Sequence, residues 1–298
     1  MSMGPPGEPP DDSAGEPRGP TALRMILGTQ LRRLREAAGV APDRAGYEIR
    51  ASRSKISRME LGRVGFKDRD VADLLTLYGI TDEQMRARMQ SLAWQANAPG
   101  WWSGYGDILA DWFEGYLGLE GAASVIRTFE LQFVYGLFQT EAYARAVTTL
   151  GNKTASAEEI NRRVSVRLKR QDVLTSPEPP QVWSVMDEAV LRRPVGGRPV
   201  MRAQLAHLIE VASLPGITIQ VIPFASGGHA AAGGSFTVLR FAAPEVPDIV
   251  YIEQLTSALY LDSREDVDHY LEVMNELSAE ALSPARSADL LAEIAKET

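Results

Sequence analysis

The sequence contains no cysteine and only three histidines among its 298 residues. Without cysteine the chain can form neither a disulfide framework nor a thiolate metal site, and it suits a reducing compartment. No apolar run approaches the roughly 20 residues that a membrane-spanning helix needs. The N-terminal segment also lacks the basic start and apolar stretch of a secretion signal. These absences predict a cytoplasmic protein without a membrane partner.

Motifs for catalysis and for cofactor binding are missing as well. The three histidines, His207, His229 and His269, fall on a predicted helix, a loop and another helix, without the spacing of metal ligands. No nucleophile elbow, Walker loop or dinucleotide fingerprint occurs. We therefore expect no catalytic residue, no metal site and no cofactor, so that the protein is not an enzyme.

Positive charge is concentrated near one end of an acidic chain. The net charge is −8, yet the stretch from Arg24 to Arg63 contains ten Lys or Arg against four Asp or Glu. Clustered positive charge is best tolerated where an anionic partner neutralises it. A solvated helix face would give the same composition, so the spacing of the residues has to decide between the two readings.

Composition divides the chain into four segments. Residues 1–20 contain six prolines and four glycines and are predicted to be a disordered tail. Residues 21–97 are predicted to form an all-α bundle of about five helices, and 107–298 a larger α+β domain. Between them, 98–106 contain Pro and Gly that interrupt the helical pattern and predict a linker.

The first strong helical pattern starts at Ile26. Leu27, Leu31 and Leu34 recur at helical intervals, and Gly39 ends the helix. The arginines of this segment lie away from the leucine stripe. The sequence therefore predicts an amphipathic helix whose apolar face belongs to a small core.

Two shorter helices follow, separated by a brief turn. One is predicted from Pro42 to Ile49, with Gly46 on its inward side, where the missing side chain lets another helix approach closely. The other is predicted over 52–61 and capped by Ser52. Two short helices in this arrangement are typical of a helix-turn-helix, whose second helix enters the major groove of double-stranded DNA.

The second of these helices combines an apolar inner face with a polar outer one. Ile56 and Met59 are predicted to face the core. Guanidinium groups on the outer face match the O6 and N7 atoms of guanine, and small hydroxyls can approach bases or phosphates. The candidate DNA-binding residues are Arg44, Ser52, Arg53, Ser54, Lys55, Ser57, Arg58 and Arg63.

The stretches LGTQLRRLREAAGV and ASRSKISRMELGR resemble the helix-turn-helix of the phage-repressor and Cro-like regulators, the XRE family. The resemblance implies a sequence-specific transcriptional regulator that acts as a homodimer. It also implies a structural ion pair between Arg35 and Glu60, and places the base-reading positions on the outer face just described. This chain departs from the family pattern at Arg50, where the turn commonly has glycine, so a positive φ there would be strained.

The second half of the chain alternates helical and strand patterns. Four segments rich in β-branched and aromatic residues are predicted as strands, at 181–188, 217–224, 235–241 and 248–255. Helices are predicted before, between and after them, including one over 108–126. This pattern favours an α+β domain with a small sheet of about four strands.

The segments DEAVLRRPVGG and GGHAAAGGSFTVLRF resemble the uncharacterised effector-like domain that follows such helix-turn-helix modules in many actinobacterial regulators. The resemblance implies that a small molecule or a small partner protein binds this domain. The candidate ligand residues are Trp101, Trp102, Phe129, Phe133 and Tyr135. For Trp101, Trp102 and Tyr105, the sequence favours an aromatic plug packed between the domains over the lining of a pocket.

A second function class stays open at the level of the sequence. An antitoxin-like scaffold could use the helix-turn-helix fold for assembly alone. Such a scaffold predicts negligible salt dependence with DNA, whereas a DNA-binding regulator predicts binding that weakens steeply as salt is added.

Overall fold

A computed structural model describes residues 19–242 and 246–298. Most of the predicted tail, residues 1–18, lies outside the described residues. Gly19 and Pro20, which the composition assigned to that tail, instead form the first residues of the first helix. Proline is tolerated in the first turn of a helix because a backbone N–H at that position would have no acceptor within the helix.

The N-terminal region consists of helices, as predicted. Its core is formed by apolar side chains from all of the helices, among them Leu27, Leu31, Ile56, Met59 and Leu74. The bounds are α1 Gly19–Ala37, α2 Pro42–Glu48, α3 Arg53–Glu60, α4 Asp68–Leu77 and α5 Glu83–Ala96.

The remainder is an α+β domain built on a six-stranded sheet in the order β3-β2-β1-β4-β5-β6. Strands β1, β2 and β3 are parallel, whereas β4, β5 and β6 continue from β1 antiparallel. The strands are β1 Val125–Glu130, β2 Gln181–Asp187, β3 Ile217–Ile222, β4 Phe236–Arg240, β5 Ile249–Glu253 and β6 Ala258–Leu261. The helices are α6 Asp111–Ala122, α7 Glu141–Gly151, α8 Ala157–Arg170, α9 Glu188–Arg192, α10 Arg198–Val211, α11 Arg264–Glu280 and α12 Pro284–Glu297.

The sheet has two strands more than the four that the sequence predicted. Strand β1 was missed because it directly follows α6 and its first residues were assigned to that helix. It lies between β2 and β4, with Ile126 and Phe129 buried on opposite faces, so its pattern lacks the alternation of a half-buried strand. Strand β6 was missed because it is a four-residue strand at the edge of the described sheet, paired with β5.

Helices cover both faces of the sheet. The larger core lies under α6, α7, α10 and α12 and contains residues such as Tyr143, Leu205 and Leu291. The smaller core lies under α11, where Met274 and Leu277 pack against Phe129 and Val250. In the described ranges, no helix has the length and apolar character to cross a membrane.

Helix α1 belongs to both cores, and this joins the two domains. Leu27 and Leu31 pack in the N-terminal core, whereas Met25 is part of the larger core of the α+β domain. Next to Met25 on the same side, Thr21 packs so closely on Gly118 of α6 that a side chain at 118 would overlap it. The helix is 19 residues long, about 28 Å at 1.5 Å per residue, and it spans both domains.

A buried ion pair holds α6 to α8. Arg170 donates from Nε and Nη2 to the two carboxylate oxygens of Glu120, at 2.9 and 2.8 Å. The hydroxyls of Tyr116 and Tyr135 also donate to Glu120, each at 2.8 Å. The hydrogen bonds offset part of the cost of removing both charges from water.

The carboxyl of Glu130, at the end of β1, links the stability of this domain to pH. Removal from water raises the pKa of Glu130 to about 8, while a hydrogen bond from Thr128 opposes this rise. The folded chain therefore keeps a proton that the unfolded chain loses near its ordinary pKa of 4.5. Folded protein then binds more protons than unfolded protein in this window, so stability falls as pH rises.

We expect Glu130→Gln to lose this dependence, because an amide does not titrate. Urea unfolding measured between pH 5 and pH 9 should show that the variant gains stability relative to the parent as pH rises toward 8 and levels off above it. Glu272→Gln, at an exposed position on α11, is the control and should follow the parent. A constant difference between Glu130→Gln and the parent at every pH would contradict the expectation.

Candidate nucleic-acid interface

Helices α2 and α3 form a helix-turn-helix whose tight junction depends on Gly46. A Cβ atom at this position would lie 2.7 Å from the carbonyl oxygen of Ala51, closer than real Cβ contacts allow. The absence of a side chain therefore lets the turn cross directly over α2. The close approach that the sequence predicted at Gly46 is confirmed.

The turn between the two helices contains a strained arginine. Arg50 has φ +54°, and it is the one non-glycine residue with positive φ in the described ranges. Its amide still donates to Tyr47 O at 3.1 Å, so the turn has the geometry that usually takes glycine. The left-handed conformation costs an L-residue about 1–2 kcal/mol.

Helix α3 is anchored along its inner face. Ile56 and Met59 are each 1% exposed in the N-terminal core. Ser52 caps the helix, since its Oγ accepts a hydrogen bond from Lys55 N at 3.2 Å. At the other end α1 passes directly over α3, where Gly28 faces the carbonyls of Met59 and Glu60.

The end of α3 is fixed by the pair that the family resemblance implied. Arg35 Nε lies 2.5 Å from Glu60 Oε1, and Arg35 Nη2 lies 2.9 Å from Glu60 Oε2. Arg35 Nη1 also donates to Val40 O at 3.0 Å. Both side chains are 9% exposed, and the hydrogen bond to Glu60 raises the pKa of Arg35. A planar two-point contact of this kind sets the orientation of α3 against α1.

The outer face of α3 is open to solvent. Arg53, Ser54, Ser57 and Arg58 are all exposed. Arg53 lies 3.8 Å from Asp43, and both of these side chains are 70% exposed. An ion pair this long and this exposed contributes little. Within the described ranges, no hydrogen bond or ion pair engages the Arg58 guanidinium, so both arginines can contact another molecule.

Two candidate DNA-binding residues are directed elsewhere. Lys55 Nζ lies 2.7 Å from Asp70 Oδ2, a carboxylate that is 2% exposed. Arg63 donates to Tyr260 O at 2.9 Å and lies over the Tyr260 ring, and burial lowers the pKa of Arg63. The sequence shows the positive charge of both residues but not the acceptors that the fold places opposite them, and their contact with DNA stays a prediction.

Arg44 lies on the exposed side of α2, beside an aromatic residue that the sequence analysis missed. Its Nη2 contacts Glu48 Oε2 at 3.3 Å, and its guanidinium lies 5.5 Å from the centre of the Tyr47 ring. Tyr47 is 76% exposed. This exposure is a property of the folded chain, so no pattern in the sequence indicates Tyr47.

The five aromatic residues proposed to line a ligand pocket do not form one. Trp101 and Trp102 pack with Leu117 and Val166 against α6 and α8, in a 3-10 turn within the predicted linker. The other three, Phe129, Phe133 and Tyr135, are divided between the two sides of the sheet. Phe129 belongs to β1 and packs under α11, whereas Phe133 and Tyr135 follow the end of that strand and pack in the larger core, so the five residues do not share one pocket.

The described residues contain no cluster of three or more His, Cys, Asp or Glu side chains that could hold a metal ion. His229 pairs loosely with Asp187, at 3.9 Å. His207 contacts Glu210 on its own helix, at 3.8 Å.

Comparison with known families agrees with the division of the chain. A model described as a domain of unknown function, DUF5753, matches residues 113–293, which is more than half of the sequence. The chain belongs to the DUF5753 family. A model described as a helix-turn-helix domain matches residues 26–89 of this DUF5753 protein. No curated protein and no solved structure matches it.

The helix-turn-helix match includes α2, the turn, α3 and the Arg35–Glu60 pair. It supports a DNA-binding regulator. The DUF5753 match covers the sheet and its helices and assigns them no activity.

The strain at Arg50 gives a first prediction for this site. Arg50→Gly should leave stability unchanged or raise it by up to about 1 kcal/mol, because glycine adopts positive φ freely but costs entropy on folding. Arg33→Gly, on the exposed side of α1, should instead lose about 1 kcal/mol as an ordinary helix substitution. Urea unfolding measures both, and equal losses would show that the turn at Arg50 is unstrained.

The buried pair gives a second prediction. Arg35→Met should destabilise the chain by about 3–5 kcal/mol, because Glu60 would keep its charge without a partner. Arg32→Met is the matched control, since the Arg32–Glu36 pair on the same helix is about half exposed and is worth only about 0.5 kcal/mol. A similar loss in both variants, measured by chemical unfolding, would contradict a structural role for the buried pair.

Proposed function

We propose that this DUF5753 protein is a sequence-specific DNA-binding transcriptional regulator. The observation that carries the proposal is the outer face of α3, where Arg53, Ser54, Ser57 and Arg58 are exposed. Behind that face the helix is fixed by Ile56, Met59 and the pair between Arg35 and Glu60. Side chains that read bases need such a rigid support, because a small misplacement loses the hydrogen bonds.

The dimensions of α3 suit the major groove. Its eight residues extend about 12 Å at 1.5 Å per residue, and the groove of B-DNA is about 12 Å wide. Arg53 and Arg58 lie at opposite ends of this exposed face and can each donate two hydrogen bonds to a guanine. Ser54 and Ser57 lie between them and are short enough to let the helix approach the base edges.

Other residues position the helix on the duplex. Arg44 on α2 contacts a phosphate in this proposal, and the exposed hydroxyl of Tyr47 is a second candidate for such a contact. Phosphate contacts fix orientation but carry no direct sequence information. Lys55 and Arg63 are less available for such contacts because they hold Asp70 and Tyr260.

The regulator acts as a homodimer in this proposal. One eight-residue helix offers few base contacts, whereas two helices about 34 Å apart read two half-sites on one side of the duplex. On α5, Trp94 is 74% exposed and Met85 is 44% exposed. These apolar side chains are available for contacts between subunits.

The α+β domain modulates DNA binding and is not catalytic in this proposal. Its most buried charged pair, Glu120 and Arg170, is satisfied internally and holds two helices together. The domain also contacts both α1 and Arg63, three residues after the end of the recognition helix. A small molecule or a small partner protein that binds this domain can therefore influence the helix-turn-helix through packed contacts.

Arg58→Ala tests the base-reading face. The variant should lose about 1–3 kcal/mol of preference for the specific site over a substituted site, because a bidentate contact to one base pair is removed. Arg44→Ala should instead weaken binding to all sequences alike and reduce the slope of log affinity against log salt by about 1. Fluorescence anisotropy with DNA from upstream of the gene, at several salt concentrations, measures both quantities.

Arg32→Ala is the control, since Arg32 is exposed on α1 and pairs with Glu36. If Arg58→Ala, Arg53→Ala and the control all discriminate between sequences as the parent does, the proposed reading face is wrong. If the parent binds DNA without salt dependence or does not bind it, the scaffold alternative replaces the regulator.

A further inference from the structure

A cavity of about 240 Å³ lies where the two domains meet. One wall is formed by Met25 and Thr29 of α1, and another by Leu61, just after the recognition helix. The opposite wall comes from the α+β domain, where Ile249 begins β5. Ligand sites occur preferentially at such domain interfaces.

The charges at this cavity are already balanced. Glu60 reaches the cavity wall but is held by Arg35 through both carboxylate oxygens. Arg63 and Asp262, also in the lining, lie 4.0 Å apart and carry opposite charges. A charged ligand would leave one of these groups or itself without a partner, so the lining favours an uncharged ligand.

The wall also offers a small number of hydrogen-bonding groups. Arg63 Nη2 is used by Tyr260 O, whereas no bond within the described ranges engages its Nε and Nη1 groups. The hydroxyl of Thr29 adds a group that can donate and accept. The remaining surface is largely apolar, from Met25, Leu61 and Ile249.

We propose that this interdomain cavity binds a small uncharged molecule with an apolar body and one hydrogen-bonding end, and that its occupancy regulates the recognition helix. The regulatory part rests on the proposed function, whereas the binding part does not. An apolar protein cavity of about 150 Å³ holds benzene. The larger volume here therefore fits one aromatic or aliphatic ring with a substituent.

The position of the cavity gives the ligand its effect on DNA binding. Its walls belong to α1, to the end of α3 and to the α+β domain, so a bound molecule contacts both domains at once. It stabilises the docked arrangement described here over arrangements in which the domains separate. The outer face of α3 is exposed in the docked arrangement, so fixing that arrangement preorganises the helix for its site.

Three probes of nearly equal size test the binding. Benzyl alcohol is neutral, benzoate is an anion and benzylammonium is a cation, and their binding to the full chain can be followed by ligand-observed NMR. We expect saturable binding of benzyl alcohol at one site and at least tenfold weaker binding of the two ions. No saturable binding of benzyl alcohol, or equal binding of all three probes, overturns the proposed site.

Two substitutions locate the binding. Thr29→Met should fill part of the cavity and weaken the binding of benzyl alcohol at least tenfold. Thr81→Met, at an exposed loop position, should leave this binding unchanged. Asp262→Asn should leave Arg63 without its counter-charge and shift the preference toward benzoate. If Thr29→Met impairs folding, Asp262→Asn still tests the proposed site. An unchanged preference among the three probes in that variant contradicts the proposal.

A DNA titration tests the regulatory part separately. With benzyl alcohol at ten times its dissociation constant, affinity for the specific site should rise up to about tenfold in the parent and remain unchanged in Thr29→Met. Unchanged or reduced affinity in the parent overturns the regulation while the binding result stands. If the parent shows no specific DNA binding at all, the proposed function fails, and the NMR result still decides whether the cavity binds the probe.

Discussion

The recognition helix depends on the buried pair between Arg35 and Glu60. Helix α3 is short, and short helices have little stability of their own. Two charge-assisted hydrogen bonds at its end and two apolar side chains beneath it hold this helix at one angle to α1. The exposed arginines of α3 therefore lie on a helix whose opposite side is held in place.

Helix α1 extends that constraint to the second domain. Its leucines pack in the N-terminal core, while Met25 packs in the core of the α+β domain. After α3, Arg63 contacts Tyr260 of β6, and the Tyr260 hydroxyl donates to the Trp112 carbonyl of α6. The two domains are therefore joined by packed contacts around the 240 Å³ cavity, through Met25 of α1 and through Arg63.

The fold also divides the basic stretch into groups with different roles. Arg35, Lys55 and Arg63 are used internally, by Glu60, Asp70 and Tyr260. Arg53 and Arg58 remain on the surface. Local net charge therefore overestimates the positive charge that is available to an external partner, because part of it compensates carboxylates and carbonyls that are distant in the sequence.

The sequence by itself determined the features that depend on local spacing. Helical periodicity defined α2 and α3, Ser52 was identifiable as a cap, and family resemblance paired Arg35 with Glu60. Only the tertiary structure identified β1 as a strand, because this segment is buried on both faces and is recognised by its pairing with β2 and β4. It also determined the partners of Lys55 and Arg63 and the packing of Met25 in the second core, since these depend on residues up to 197 positions away along the chain.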